Sequence, residues 1–204
     1  PAAGVGARMG ATVPKQYAEL LGKPMLEHVM DTFVDCAQIH QIFVVVSTDD
    51  AYIEGIPTKP RTQILRCGGA TRQASVTNGL QGMQSQVDST DWILVHDAAR
   101  CFAPTELFDR VAAAVSEYGF GVVPVLPIAD TIKQVENDLV LATVDRENLR
   151  SAQTPQGFSY KELLENYKKA SEVFTDDAAL MQSFGEVIHS VVGDSSAFKI
   201  THPE

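Results

Sequence analysis

The sequence predicts an α/β protein with a mostly parallel sheet, helices on both faces and one projecting β-hairpin. Short continuous apolar runs such as Ile42-Phe43-Val44-Val45-Val46 and Trp92-Ile93-Leu94-Val95 have the length and composition of strands buried on both faces. These runs alternate with stretches of helical period, which gives a βαβα order. Residues Asp130 to Asp145 interrupt that order with a strand–turn–strand pattern centred on Asn137-Asp138.

The elements follow in order. Pro24 suits a first helical turn, and Met25, Leu26, Val29, Met30, Phe33 and Val34 behind it share one face. After the strand at 42–46, Gln63 to Arg66 form a short strand candidate ahead of Gly68-Gly69, and a helix spans about Thr71 to Met83. After the strand at 92–95, Pro104 opens a helix with Leu107, Phe108, Val111, Ala112 and Val115 on its inner face. Gly121 to Leu126 form a further strand, in which Pro124 suggests an edge or a bulge. A helix is expected near Tyr160–Glu172, a short one after Thr175-Asp176-Asp177, and strands near Glu186–Val192 and Phe198–Thr201; Thr154-Pro155-Gln156 reads as a stiff turn. The hairpin has two readings, a flap on its own subunit or an arm gripping a second one, because two strands alone are marginal in water. With no repeat, linker or low-complexity tract, residues 1–204 make one domain plus an arm at about 130–145.

Composition narrows the function. An apolar fraction of 45% and a charged fraction of 21% are those of a soluble globular chain. A net charge of −10 argues against nucleic acid as a partner, yet a few cations in a cleft still attract a phosphorylated ligand. Cys36, Cys67 and Cys101 form no metal-binding spacing and read as reduced thiols. No apolar run approaches a membrane span and no secretory signal is present, so a cytoplasmic location is expected.

In sheets of this kind ligands bind beyond the carboxyl ends of the strands, so chemistry is expected from residues 1–17, 67–75 and 96–100. Residues 1–17 begin with small residues and glycines, then Arg8 and Lys15. Gly4 and Gly6 let backbone N–H groups approach an oxygen-rich ligand, and the two cations supply positive charge. The bland alternative is a flexible tail of small residues. Met9 breaks the G-x-G-x-x-G dinucleotide pattern and no register gives a P-loop, which argues against a nicotinamide dehydrogenase. Asp97 directly follows a buried strand and suits Mg²⁺ held against phosphate oxygens, or else a simple turn or cap. Gly68-Gly69 lead into a helix on which Arg72 and Ser75 share a face, either beside a nucleotide or as a plain turn and cap. No Ser/His/Asp or Cys/His set is legible.

Taken together the segments PAAGVGARM, PKQY, GGATRQASV, VHDAAR, DTIK, VDRENL, AQTPQGF, TDDAALM and FKITHPE resemble, in order and across the whole chain, the 2-C-methyl-D-erythritol 4-phosphate cytidylyltransferases of non-mevalonate isoprenoid synthesis. The resemblance implies a Rossmann-like nucleotidyltransferase fold, a homodimer joined by the arm, CTP as cosubstrate and Mg²⁺ as cofactor. It implies catalytic roles for Arg8, Lys15 and Lys199 around the triphosphate, and a metal-binding role for Asp97. Ala2, Ala3, Gly4, Gly69, Ser75 and Ala98 match nucleotide contacts, with Arg72 beside them. Thr131 and Arg146 match arm residues that reach the sugar phosphate in the neighbouring subunit, with Asp97, Arg100 and Thr154 near that substrate. Ala70 replaces a usual acidic residue, Cys101 a usual Pro and Ala197 a usual Asn, none of them in the cationic set. The resemblance further implies a buried strand leading into Pro1 and a helix after Glu204, so the native protein is expected to extend past both. If the source is a plant or alga, it places the protein in the plastid stroma.

The implied chemistry is self-consistent. A phosphate monoester with a second pKa of about 6 is largely dianionic near neutrality and needs no general base. The obstacles are like-charge repulsion and charge growth on the α-phosphate and the departing pyrophosphate, which prearranged cations and metal address. Two rivals stand beside this reading: a ribitol-5-phosphate cytidylyltransferase, from which VDRENL and TDDAALM point away, and a non-catalytic nucleotide-binding module, against which Arg8, Lys15 and Asp97 argue.

Overall fold

The computed structural model describes residues 1–4 and 13–201. In chain order, β1 (Glu19–Leu20) and β2 (Lys23–Pro24) pair across a tight turn and lead into α1 (Met25–Asp35), β3 (Ile42–Val46) and β4 (Thr62–Arg66). Then come α2 (Arg72–Gly82), β5 (Trp92–Val95), α3 (Thr105–Tyr118) and β6 (Gly121–Pro127). The hairpin strands are β7 (Ile132–Glu136) and β8 (Leu139–Val144), followed by β9 (Arg150–Ala152), β10 (Gln156–Ser159), α4 (Tyr160–Lys169), α5 (Asp177–Ser183) and β11 (Ile188–Val192).

Local signals account for the helices. Met25, Leu26, Val29 and Met30 of α1 are buried, as their spacing requires. Leu107, Phe108, Val111, Ala112 and Val115 do the same in α3, which ends at Gly119 in the left-handed region. The Thr71 hydroxyl caps α2 by accepting from Ala74 N–H at 3.0 Å, and Asp176 caps α5 through Ala179 N–H at 2.8 Å.

The main sheet has the order β11-β6-β10-β5, with β9 also on β6. β11 runs parallel to β6, and β3 parallel to β4 in a two-stranded pair, whereas β10 enters antiparallel to both its neighbours. β9 and β10 flank the turn at Thr154-Pro155 and carry no strand pattern in the sequence; Gln156, the last residue of that expected turn, is the first of β10. Gln156 and Gly157 lack the apolar pattern of a strand, yet both are buried and in register, Gln156 opposite Val95. Conversely, Phe198–Thr201 forms no ladder among the described residues. It runs extended past Ala99, whose carbonyl accepts from Ile200 N–H at 2.9 Å. Helix α4 stops at Lys169, three residues short of the expected end.

β3 and β5 do not share a ladder. Between them lies a cavity of about 840 Å³ lined by Val44, Val45, Leu94, Val95, Leu80 and Phe33, among others. The core on one side gathers around Phe158, Leu163, Leu180 and Leu80; another cluster gathers around Leu107, Phe108 and Val46. The hairpin turns at Asn137-Asp138, both with positive φ, and Glu136 faces Leu139 across a two-residue loop. Its apolar side chains Val135, Leu139, Val140 and Leu141 are all exposed.

Gly157 lets α3 pack directly on β10. A Cβ there would lie 2.6 Å from Val115 Cγ1 and 3.2 Å from Val111 Cγ1, both side chains buried and stiff at χ1. Alanine would relieve the backbone entropy cost of glycine, roughly 0.5–1 kcal/mol, but overpacking costs about 1–3 kcal/mol and prevails. Gly157→Ala is therefore expected to lower the urea midpoint; an unchanged or higher midpoint would contradict this packing.

Candidate functional site

The site is assembled at the carboxyl end of β5. Two residues past that strand, Asp97 carries a carboxylate that is only 12% exposed. Arg72, at the start of α2, donates from Nε to Asp97 Oδ1 at 2.8 Å. Lys199 donates from Nζ to Asp97 Oδ2, also at 2.8 Å, although 102 residues separate the two in sequence. Burial by itself would raise the Asp97 carboxyl, but the charges of Arg72 and Lys199 outweigh it and hold the group well below the usual carboxylate range. Arg72 also reaches Asp177, from Nη2 to Oδ2 at 2.6 Å. Burial works against its charge, yet the two carboxylates more than compensate and keep its pKa above the ordinary guanidinium value.

Lys15 approaches from the 3-10 turn Lys15–Tyr17, with its ammonium on the Ile200 carbonyl. Its two successors fix that turn. Gln16 Nε2 donates to the Ala2 carbonyl at 2.7 Å, and the Tyr17 hydroxyl donates to Asp50 Oδ2 at 2.8 Å. Lys15, Lys199, Arg72 and Asp97 line one pocket of about 830 Å³, together with Ala2, Ala3, Gly4, Gly69, Ser75 and Ala98. Ala2 N–H bonds Val45 O at 2.7 Å, which seats residues 2–4 at the carboxyl end of β3. The Gly68-Gly69 turn must be bare: a Cβ at Gly68 would fall 2.2 Å from Ala3 Cβ, and one at Gly69 2.5 Å from Ala74 Cβ. Gly69 N–H is also tied to Ser75 Oγ at 3.1 Å.

The other expected residues lie elsewhere. Thr154 is buried behind Asp97, whose backbone N–H donates to its hydroxyl oxygen at 3.1 Å. Arg100 donates to the carbonyls of Ala197 at 2.7 Å and Ala152 at 3.3 Å, while its buried Nε has no partner among the described residues. Thr131 and Arg146 stand exposed at the base of the hairpin and do not line this pocket. Arg8 lies outside the described residues. Asp177, Tyr167 and Gln16 escaped sequence reasoning as site-supporting residues. The adjacent acids Asp176 and Asp177 carried a signal, since a helix needs only one of them as its cap.

Among the described residues no cluster of three or more His, Cys, Asp or Glu side chains suits a metal ion. Asp97, a pocket-lining carboxylate held ionised, nevertheless fits magnesium, which takes one or two protein carboxylates and completes its shell with ligand oxygens and water. No described helix is long and apolar enough to cross a membrane.

A sequence profile of the 2-C-methyl-D-erythritol 4-phosphate cytidylyltransferases matches residues 1–204. The enzyme of that name from Nitrosomonas eutropha is 42% identical over the whole of this chain and 90% of its own length. The one from Laribacter hongkongensis is 41% identical, over 100% and 89%. Against a bifunctional IspD/IspF enzyme of Albidiferax ferrireducens, 39% identical, the chain spans about half of the relative's length, 49%. Among solved structures, a 4-diphosphocytidyl-2C-methyl-D-erythritol synthase superposes with a TM-score of 0.87 at 35% identity, covering 93% of this chain and 89% of the other. The Thermus thermophilus 2-C-methyl-D-erythritol 4-phosphate cytidylyltransferase gives 0.80 at 36%, covering 93% and 88%.

His96 sits beneath the site as a structural group. Its Nδ1 accepts from the Thr154 hydroxyl at 3.0 Å, which leaves Nε2 to donate to the Arg100 carbonyl at 3.2 Å, a neutral tautomer. Burial lowers its pKa from 6.5 to about 4. Between those two values the unfolded chain binds the extra proton, so stability rises with pH there. The contribution is full above the unfolded value and is lost as pH falls toward the folded one, on the order of 3 kcal/mol in all. Urea titrations at pH 7 and pH 5 should show a larger drop in stability for the wild type than for His96→Gln. Equal drops would contradict this assignment.

Proposed function

The chain belongs to the 2-C-methyl-D-erythritol 4-phosphate cytidylyltransferase family, and on that premise we propose how its residues divide the transfer of CMP from CTP to 2-C-methyl-D-erythritol 4-phosphate. In that reaction a phosphate-monoester oxygen of the acceptor forms a bond to the α-phosphorus of CTP. The bond from that phosphorus to the bridging oxygen breaks, and pyrophosphate leaves with the electron pair. The other product is 4-diphosphocytidyl-2-C-methyl-D-erythritol.

The observation that carries the assignment is convergence: Lys15, Arg72, Asp97 and Lys199 come from distant parts of the chain and meet at one pocket. Lys15 and Lys199 are assigned to the charge that grows on the α-phosphate and on pyrophosphate, with Arg8 added on the strength of its place in the PAAGVGARM segment. Asp97 would hold Mg²⁺, which when bound screens the triphosphate. Ala2, Ala3, Gly4, Gly69 and Ala98, with Ser75, line the pocket and are assigned to the nucleotide; a Cβ at Gly4 would meet nothing within 4 Å. Thr154 positions the backbone of Asp97. Arg100, whose side-chain hydrogen bonds among the described residues go to the neutral carbonyls of Ala197 and Ala152, is assigned to the acceptor phosphate.

The finer architecture belongs to the same proposal. The exposed apolar ribbon of β7 and β8 supports an arm that packs on a second copy, with Thr131 and Arg146 delivered to the partner's pocket. The free thiols of Cys36, Cys67 and Cys101 support a reducing compartment such as the cytoplasm.

Lys15→Ala is expected to lower kcat by about 10²–10³ with a much smaller change in KM. Unchanged turnover would remove Lys15 from the chemistry. Pyrophosphate release should require 2-C-methyl-D-erythritol 4-phosphate, and release with ribitol 5-phosphate alone would overturn the substrate assignment. Arg146→Ala and Lys15→Ala proteins, each impaired alone, should regain activity when mixed under subunit exchange. One site of the mixed dimer then pairs an intact Lys15 with an intact Arg146 from the other subunit. No recovery would contradict the shared site.

A further inference from the structure

Behind the pocket lies a carboxylate that the roles above leave unused. Asp177 is 0% exposed, and a buried carboxylate is tolerated only when paired and hydrogen-bonded. Arg72 supplies the pairing at 2.6 Å, and the Tyr167 hydroxyl of α4 donates to the other oxygen. The start of α5 is held in turn by Gln156, which donates to Asp176 Oδ2 at 2.9 Å and accepts from Ala178 N–H at 3.1 Å. Gln156 faces Val95 in the β10–β5 ladder, two residues before Asp97. Both carboxylates on Arg72 are thereby referenced to the same pair of strands.

This sharing sets the orientation of Asp97. A guanidinium with a single carboxylate tends to engage it through two parallel N–H bonds. Here Nη2 is committed to Asp177, so Arg72 takes Asp97 Oδ1 through Nε, and Oδ2 is left on the side of the pocket reached by Lys199. We propose that Asp177, held by Tyr167, is a positioning residue for nucleotidyl transfer: it anchors Arg72 so that Asp97 keeps one oxygen turned toward the phosphates. The inference rests on the role given to Asp97 above.

The test measures kcat, KM and thermal unfolding for Asp177→Asn, Tyr167→Phe, Asp97→Asn and the double variant of Asp177→Asn with Asp97→Asn. Asp177→Asn should lower kcat about 10–100-fold, as loss of an outer-sphere partner does, with KM for the acceptor kept within about twofold. Tyr167→Phe should lower kcat about threefold to tenfold, the worth of one hydrogen bond. Because Asp177 acts through Asp97, the double variant should match Asp97→Asn alone within about twofold. Wild-type kcat in Asp177→Asn, or losses that multiply in the double variant, would overturn the inference. If Asp177→Asn fails to fold, Tyr167→Phe decides: a loss in kcat at wild-type melting temperature supports the inference, and wild-type kcat overturns it. Wild-type kcat in Asp97→Asn would sink the site assignment and this inference together, whereas loss at Asp97 with none at Asp177 sinks this inference alone.

Discussion

The Asp97 carboxylate is held at 2.8 Å by Arg72 on one side and by Lys199 on the other, and the rest of the site is arranged around keeping that charge in place. A carboxylate this buried would tend to take up a proton, so its ionised form depends on the two cations. Those cations come from α2 and from the extended segment after β11, which only the folded sheet brings within reach. Thr154 and His96 fix the backbone beneath it, and Ile200 joins the last segment to Ala99.

Charge placement and backbone placement reinforce each other here. Bare turns at Gly68 and Gly69 let residues 2–4 and the start of α2 close on one another, and a side chain at either position would force them apart. The pocket there is lined by these turns together with Lys15, Arg72 and Lys199. The cations in its lining suit a ligand with a polyanionic end. A net charge of −10 on the chain leaves the pocket's cations unaffected, because interactions at short range in a partly buried cleft outweigh distant surface carboxylates.

Much of this was legible in the sequence. α1, α3, β3 and β5 announce themselves because each buries one face or two, and burial imposes a period. The hairpin is equally plain, since Asn137 and Asp138 are among the few side chains that accept positive φ. β10 was not legible, because its inner positions are held by Gln156, which spends its amide on α5, and by Gly157, which has no side chain to signal burial. The segment 198–201 misled in the opposite direction: it alternates like a strand but is anchored through Ile200 and Lys199 instead of a ladder. Asp97, Lys15 and Lys199 could be singled out from their motifs, whereas nothing local marks Asp177 for its role, because its partner Arg72 lies 105 residues away.

The most direct measurement is a crystal structure of the protein with CTP and Mg²⁺. The expected result is a triphosphate lying between Lys15 and Lys199, with Lys199 Nζ on a phosphate oxygen and Arg72 still bridging Asp97 and Asp177. A nucleotide bound away from Asp97, or with its α-phosphate out of reach of both lysines, would contradict the proposed convergence of charge.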